Sequence, residues 1–158
     1  MSTQQSEFFM IVMRHAEFDY SSGRLVPEAD IYIQEVANQL FVAKAYIQQL
    51  LRQTCEFVVA HKSRDAIPYL TAQILAHCLG KLPLENWSTT PIDPVILAQN
   101  LPRLTSQKIL ILVGQEPDMG GLLRRLGLQC DELEYNTPVG VRLTMRGGGI
   151  ARAAYLSF

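Results

Sequence analysis

The sequence predicts a three-layer α/β/α fold with a mainly parallel β-sheet and a C-terminal β-hairpin. Short, continuous apolar runs at residues 8–13, 57–60 and 108–113 indicate buried strands, and each is followed by a helical segment. Strands that alternate with helices form parallel sheets covered by helices on both faces. Two further strand patterns, at residues 139–145 and 150–158, are separated by a glycine-rich turn and predict the closing hairpin.

In the first half of the chain, the first strand leads into a predicted loop over residues 14–27, which contains a Ser-Ser-Gly triplet typical of turns. A helix is predicted over residues 27–53, because proline is tolerated in a first turn and the apolar positions fall three and four apart. The second strand, residues 57–60, precedes a helix over about residues 65–79, closed by a glycine. Pro68 must lie in the first turn of that helix, since it cannot donate a backbone hydrogen bond.

In the second half, residues 81–93 carry no periodic pattern and are predicted to be irregular. Asp93 is expected to cap a short helix that extends to about Leu101, with proline at its first position. After the strand at residues 108–113, a helix is predicted to end near Leu126, where a glycine follows. The predicted order is therefore β-α-β-α-(α)-β-α-β-β.

The composition indicates one globular domain over residues 1–158, with 48% apolar and 18% charged residues. The net charge of -1 provides no basic field for nucleic acid or an anionic membrane, so neither is expected as a partner. No apolar stretch approaches the ~20 residues of a membrane span. Residues 1–7 are polar and do not resemble a signal peptide, which predicts a cytoplasmic protein. Cys55, Cys78 and Cys130 lack the spacing of a disulfide framework or zinc site.

Polar residues follow three strands of the predicted sheet: Arg14 and His15, then residues 61–64, then residues 114–116. If these strands are parallel neighbours, all three ends meet at one edge, where open α/β sheets bind ligands. That edge would gather two arginines, one lysine and two histidines, and helix N-termini would add partial positive charge. The sequence therefore predicts a local anion pocket, with phosphate as the expected ligand.

Several of these residues have a second interpretation. His61 and Arg64 are candidate phosphate-binding residues. His61 can equally be a loop histidine that bonds the backbone, and Arg64 a solvated residue at a helix start. Glu116 is either a candidate acid or a carboxylate that supports the start of the following helix.

The segment Val12-Met13-Arg14-His15-Ala16-Glu17 resembles the signature of the histidine phosphatase superfamily, whose fold is shared with phosphoglycerate mutases. The Arg-His-Ala form, the small size and the layout are similar to the SixA-type phosphohistidine phosphatases in particular. The resemblance extends over nearly the whole chain: residues 24–25, 71–76 and 112–118 match further family segments, as does the closing hairpin.

This resemblance implies that His15 is a nucleophile that attacks phosphorus and that Arg14 holds the phosphoryl oxygens. It also implies a phosphate-bearing small molecule or a phosphohistidine protein as the partner. Neither a metal nor another cofactor is expected, because the histidine is itself the nucleophile and the arginines supply the charge.

The chain departs from the family pattern at two places. The last motif normally ends in Val-Gly-His, whereas here Gln115 stands at the position of the second catalytic histidine. An amide donates a hydrogen bond but carries no charge, and losing one well-placed donor costs about 100- to 1,000-fold in rate. The middle-motif arginine is replaced by Ile67, with Arg64 one helical turn earlier. The mutase acid is also missing, which leaves Glu17 and Glu116 as the nearest candidates.

Three hypotheses follow. The chain is an active small phosphatase in which Gln115 donates a hydrogen bond and His61 substitutes in space for the second histidine, with reduced activity. Alternatively, it is an inactive member that binds phosphate or a phosphoprotein, or a scaffold in which Arg14 and His15 only stabilise the fold. Turnover that depends on His15 separates the first two, and oxyanion binding that depends on Arg14 separates the last two.

Overall fold

The computed structural model of the protein describes residues 5–61, 66–87, 92–101 and 107–157. These ranges contain eight strands and four helices, and the five predicted strands and four predicted helices occur among them in the predicted order. The strands are β1 (Gln5–Arg14), β2 (Phe18–Asp19), β3 (Arg24–Leu25), β4 (Glu56–His61), β5 (Leu84–Asn86), β6 (Lys108–Gly114), β7 (Pro138–Arg146) and β8 (Gly149–Leu156). The helices are α1 (Ala29–Leu51), α2 (Ala66–Cys78), α3 (Pro94–Asn100) and α4 (Asp118–Arg125).

Six strands form one sheet in the order β5-β4-β6-β1-β7-β8. Strands β5, β4, β6 and β1 are parallel, whereas β7 runs antiparallel to β1 and forms the predicted hairpin with β8. The register pairs Arg14 with Gly114 and His61 with Val113. The polar ends of β1, β4 and β6 therefore meet at one edge of the sheet, as predicted.

The two faces of β1 enter separate cores, which makes the fold three-layered. Phe9, Ile11 and Met13 belong to a buried cluster that contains the inner residues of α1 and α2. The alternate side chains, among them Met10 and Val12, belong to a second cluster with residues of α3 and α4. Because successive side chains of a strand point to opposite faces, a continuous apolar run is the expected pattern for a strand covered on both sides.

The helix boundaries follow local chemistry. Asp93 caps α3, because its Oδ1 accepts a hydrogen bond from the backbone N–H of Ile96 at 2.8 Å. Pro68 lies in the first turn of α2, as predicted. Helix α1 ends slightly before the predicted Gln53, since Arg52 adopts a left-handed conformation (φ 52°) and closes the last turn. No helix in the described ranges is both long and apolar enough to cross a membrane.

Two segments that were predicted to be irregular contain short strands. Residues 84–86 form β5, which extends the sheet by pairing with β4. The predicted loop over residues 14–27 contains the two-residue strands β2 and β3, which form a small hairpin. These predictions were wrong because strands of two or three residues show no periodicity, and pairing with a neighbour, rather than local sequence, fixes them.

Candidate active site

His15 is the first residue after β1 and lies at the polar edge of the sheet. Its backbone N–H donates to Gly114 O at 2.9 Å, and only 5% of the residue is exposed. The ring Nδ1 lies 2.7 Å from the carbonyl oxygen of Ala16. A carbonyl can only accept, so Nδ1 carries the proton and the lone pair of the neutral ring is on Nε2. This is the tautomer that a nucleophilic imidazole needs.

Helix α2 fixes the backbone that orients this ring. The hydroxyl of Thr71, which is fully buried, accepts a hydrogen bond from the backbone N–H of Ala16 at 3.0 Å. The carbonyl of the same residue, Ala16, accepts the His15 proton. Thr71 therefore holds the backbone of Ala16, whose carbonyl orients the His15 ring. This role was not predicted from the sequence, in which the available signal was a threonine beside an apolar helix face.

Aromatic rings form the walls around the His15 imidazole. Phe18, on β2, packs edge-on against it with ring centroids 5.4 Å apart, and Tyr135 lies 5.6 Å away. Tyr20 packs on Phe18 at 4.6 Å. A hydrogen bond to Tyr20 raises the pKa of the Tyr135 phenol above its usual value of 10, with burial adding to the rise and Arg14 opposing it. Tyr135 is therefore an uncharged phenol at neutral pH.

The guanidinium of Arg14 packs against residues 132–135, the segment that precedes β7. Its Nη1 donates to Leu133 O at 3.1 Å and lies 3.5 Å from the carboxylate of Glu132, which is largely exposed. Its Cζ lies 3.9 Å from the centroid of the Tyr135 ring. The Nε–H is buried and has no hydrogen-bond acceptor in the described part of the chain. Arg14 thus presents a fixed, planar cation beside His15.

Gln115, which the sequence resemblance aligns with the family's second histidine, directly follows β6 at the backbone position next to His15. The two positions are adjacent because Arg14 pairs with Gly114 and His15 bonds the carbonyl of Gly114. The side chain of Gln115 is half-buried, and its backbone oxygen accepts from Met119 N at 3.2 Å, at the start of α4. A side chain in place of Gly114 would force the Met119 side chain to shift, since an added Cβ would lie 2.7 Å from its Sδ and Cε atoms.

His61 ends β4 at the same edge and is buried. Its ring packs on Tyr69 with centroids 5.2 Å apart, and its backbone oxygen accepts from Trp87 N at 2.9 Å. The register places it opposite Val113, one residue before the strand end that supports His15. The structure therefore brings His61 to the predicted edge. Arg64, the other predicted phosphate ligand of this motif, lies outside the described residues.

The two candidate acids occupy different surroundings. Glu17 is exposed and lines a surface groove of about 300 Å³ together with Glu35 and Tyr135. Glu116 accepts hydrogen bonds from Gly120 N at 2.6 Å and Leu133 N at 3.1 Å. Glu116 is thus engaged as the helix-start carboxylate of the second interpretation, and its action as an acid stays a prediction, as does that of Glu17.

The groups that converge on this edge suit an oxyanion. They are a guanidinium and a primary amide, which supply N–H donors, with positive charge from the guanidinium, and the neutral His15 imidazole, which supplies a nucleophilic lone pair. Among the residues that the structure describes, no three His, Cys, Asp or Glu side chains are grouped so that they could hold a metal ion.

No family model and no curated protein matches the sequence. Solved structures do match over almost the whole chain. The structure of the protein histidine phosphatase SixA complexed with tungstate is 18% identical, with a TM-score of 0.65 and 95% of each chain covered. A putative SixA phosphohistidine phosphatase from Nakamurella multipartitia is 12% identical, with a TM-score of 0.57 and coverage of 99% of this chain and 96% of that one. A phosphoglycerate mutase from Bacillus anthracis is 12% identical, with a TM-score of 0.54 and coverage of 98% and 93%.

At such low identity, likeness between structures reports the arrangement of the backbone and not the reaction. In the described residues of this chain the arrangement is a mainly parallel sheet with helices on both faces and closing antiparallel strands. The chain therefore has the phosphoglycerate mutase-like α/β fold, in which SixA phosphohistidine phosphatases and phosphoglycerate mutases are its structural neighbours, as the segment around Arg14 and His15 implied.

Proposed function

We propose that the protein is a small phosphatase that hydrolyses phosphohistidine, or another small phosphoryl substrate, through a phosphohistidine intermediate on His15. The observation that carries the proposal is the contact of His15 Nδ1 with Ala16 O, which leaves the ring lone pair on Nε2, in a residue that directly follows a partly buried arginine. The tungstate complex of a structural neighbour adds support, because tungstate is a tetrahedral oxyanion like phosphate.

In the proposed reaction, the Nε2 lone pair of His15 attacks phosphorus and forms an N–P bond. The bond between phosphorus and the leaving group breaks at the same time, and the leaving group departs with the electron pair. Arg14 neutralises charge on the phosphoryl oxygens, while the carbonyl of Ala16 stabilises the positive ring through Nδ1–H. Water then attacks phosphorus, the N–P bond breaks, and inorganic phosphate leaves with His15 restored.

The leaving group decides which substrates are suitable. The imidazole of phosphohistidine leaves readily, so its departure does not require a dedicated acid. This agrees with the engagement of Glu116, whose two carboxylate oxygens each accept a backbone hydrogen bond. We therefore favour phosphohistidine over alkyl phosphates, whose alkoxide leaving groups need a proton.

Gln115 is the feature that limits the rate. A neutral amide beside His15 donates a weaker hydrogen bond to the transferring group than a charged imidazolium does. We expect turnover to be about 100- to 1,000-fold below that of a site with a charged donor there. The same residue favours a second candidate function, in which the pocket binds phosphate or a phosphoprotein without turnover.

Phosphate release tests the proposal. The protein, His15→Ala and the control variant His77→Ala, which changes an exposed residue on α2, are compared on a phosphohistidine peptide and on p-nitrophenyl phosphate. We expect release by the protein and by His77→Ala, and none above background by His15→Ala. Equal background from all three would contradict the phosphatase and leave the binding function.

A further inference from the structure

We propose that Tyr135 is a positioning residue for the phosphoryl site, because its ring holds the Arg14 guanidinium in the plane that binds the oxyanion. This inference rests on the proposed function in one respect, namely that Arg14 binds the phosphoryl oxygens. It assigns a role to a residue that lies far from every motif in the sequence.

One aromatic ring contacts both groups of the proposed site. The Cζ of Arg14 lies 3.9 Å from the Tyr135 centroid, and the His15 ring lies 5.6 Å from it. At this distance a guanidinium packs against the ring face, where the negative potential of the π system attracts it. A planar guanidinium in such contact loses much of the rotational freedom of a long side chain. Tyr135 thus sets the position of Arg14 relative to the nucleophile.

The backbone around Tyr135 is fastened to the same strand end. Tyr135 forms a parallel bridge with Arg14, and Asn136 N donates to Arg14 O at 3.4 Å. In return, Arg14 Nη1 donates to Leu133 O. Leu133 N is held in turn by the carboxylate of Glu116, at the start of α4. The backbone that carries Tyr135 is therefore fixed to both β1 and α4, which places the base of the ring at a set position beside the site.

One buried donor of Arg14 shows how the guanidinium is held. Its Nη1 is engaged by Leu133 and Glu132, whereas the buried Nε–H has no acceptor in the described part of the chain. A buried donor without a partner is costly, so the guanidinium is not held in place by hydrogen bonds alone. The ring keeps the guanidinium in place before a ligand arrives, so loss of the ring should weaken oxyanion binding more than it weakens the fold.

The hydroxyl and the ring of Tyr135 have different neighbours, so different substitutions can distinguish their effects. The main titrating neighbour of the hydroxyl is Tyr20, which lies between β2 and β3, is 80% exposed and raises the pKa of the phenol. Tyr135→Phe removes the hydroxyl and keeps the ring, whereas Tyr135→Leu removes the ring. Only the second change should affect Arg14.

The test is a double-mutant cycle on tungstate affinity, measured by calorimetry, which needs no turnover. Tyr135→Leu and Tyr135→Phe are made in the protein and in Arg14→Lys, which keeps the charge but not the planar guanidinium. Tyr46→Leu, which changes a partly exposed tyrosine on α1, is the control. Thermal melting checks the fold of each variant, and Tyr135→Met replaces Tyr135→Leu if the latter does not melt cooperatively.

When Tyr135→Leu is made in the unmodified protein, we expect tungstate binding to weaken roughly 10-fold, the size of a partly desolvated cation–π contact. When it is made in the Arg14→Lys variant, we expect a loss of less than about 3-fold, because the guanidinium is already absent. Tyr135→Phe and Tyr46→Leu should bind as the protein does. Equal losses in both backgrounds, or no loss, would overturn the inference while leaving the proposed function intact. Absence of tungstate binding by the unmodified protein would contradict the proposed function and this inference together.

Discussion

Replacing Gln115 by histidine should increase the rate of phosphoryl transfer. The new side chain would begin at the residue after Gly114, whose carbonyl already accepts the backbone N–H of His15 at 2.9 Å. The position is half-buried, so an imidazolium there would act on the transferring group with little screening by water. A single preorganised donor contributes about 2.7–4 kcal/mol to a transition state, and each 1.36 kcal/mol is tenfold in rate. We therefore expect kcat to rise about 100- to 1,000-fold.

The assay is steady-state hydrolysis of p-nitrophenyl phosphate and of a phosphohistidine peptide by the protein and by Gln115→His. Gln73→His, which places a histidine at an exposed position of α2, controls for the added imidazole. The gain should disappear when His15→Ala is combined with Gln115→His, because the second histidine acts on a phosphoryl group that the first one accepts. The reasoning about charge at this position would be refuted if Gln115→His raised kcat by less than threefold while the variant was folded and its activity still required His15.

Three further predictions concern the support of the site and the stability of the sheet. Thr71→Val should lower the free energy of unfolding by about 1–3 kcal/mol, because it leaves the buried N–H of Ala16 without an acceptor. Urea denaturation measures this loss, with Thr71→Ser, which keeps the hydroxyl, as the control. If Thr71→Val loses no more unfolding free energy than Thr71→Ser, the prediction is contradicted. Glu116→Ala should cost roughly 3 kcal/mol through the loss of its two charge-assisted backbone hydrogen bonds. Glu116→Ala should also weaken tungstate binding. An unchanged midpoint of urea denaturation would contradict the predicted loss of stability. The lysine at the start of β6 lowers the pKa of Glu56 below its ordinary value of 4.5. A lowered folded pKa means that the contribution of Glu56 is present above pH 4.5 and is lost as the pH falls below it. The stability difference between the protein and Glu56→Gln should therefore vanish in acid, and a difference that persists there would argue against the pairing.

The fold could be predicted because its main elements are long and covered on both faces. Continuous apolar runs such as residues 8–13 mark buried parallel strands, and the spacing of apolar residues in α1 marks a helix that packs on one side. The same reasoning placed Arg14, His15, His61 and Gln115 at one edge, because parallel strands bring their carboxyl ends together. The register confirms this placement.

The walls and supports of the site could not be predicted in the same way. Tyr135 reaches Arg14 and His15 from a segment more than a hundred residues away, and nothing in its local sequence indicates that contact. Thr71 acts through a single buried hydroxyl, and β5 exists only because β4 offers it an edge. These features depend on tertiary contacts, to which local propensity and periodicity are not sensitive.

Covalent phosphorylation of His15 tests the central claim most directly. The protein is mixed with a phosphohistidine peptide, quenched rapidly in alkali, which preserves phosphohistidine, and digested for mass spectrometry. We predict one added phosphoryl group on the fragment that contains His15, reduced in Arg14→Ala and absent in His15→Ala. Phosphate release with no label on His15, or a label on another histidine, would contradict the account.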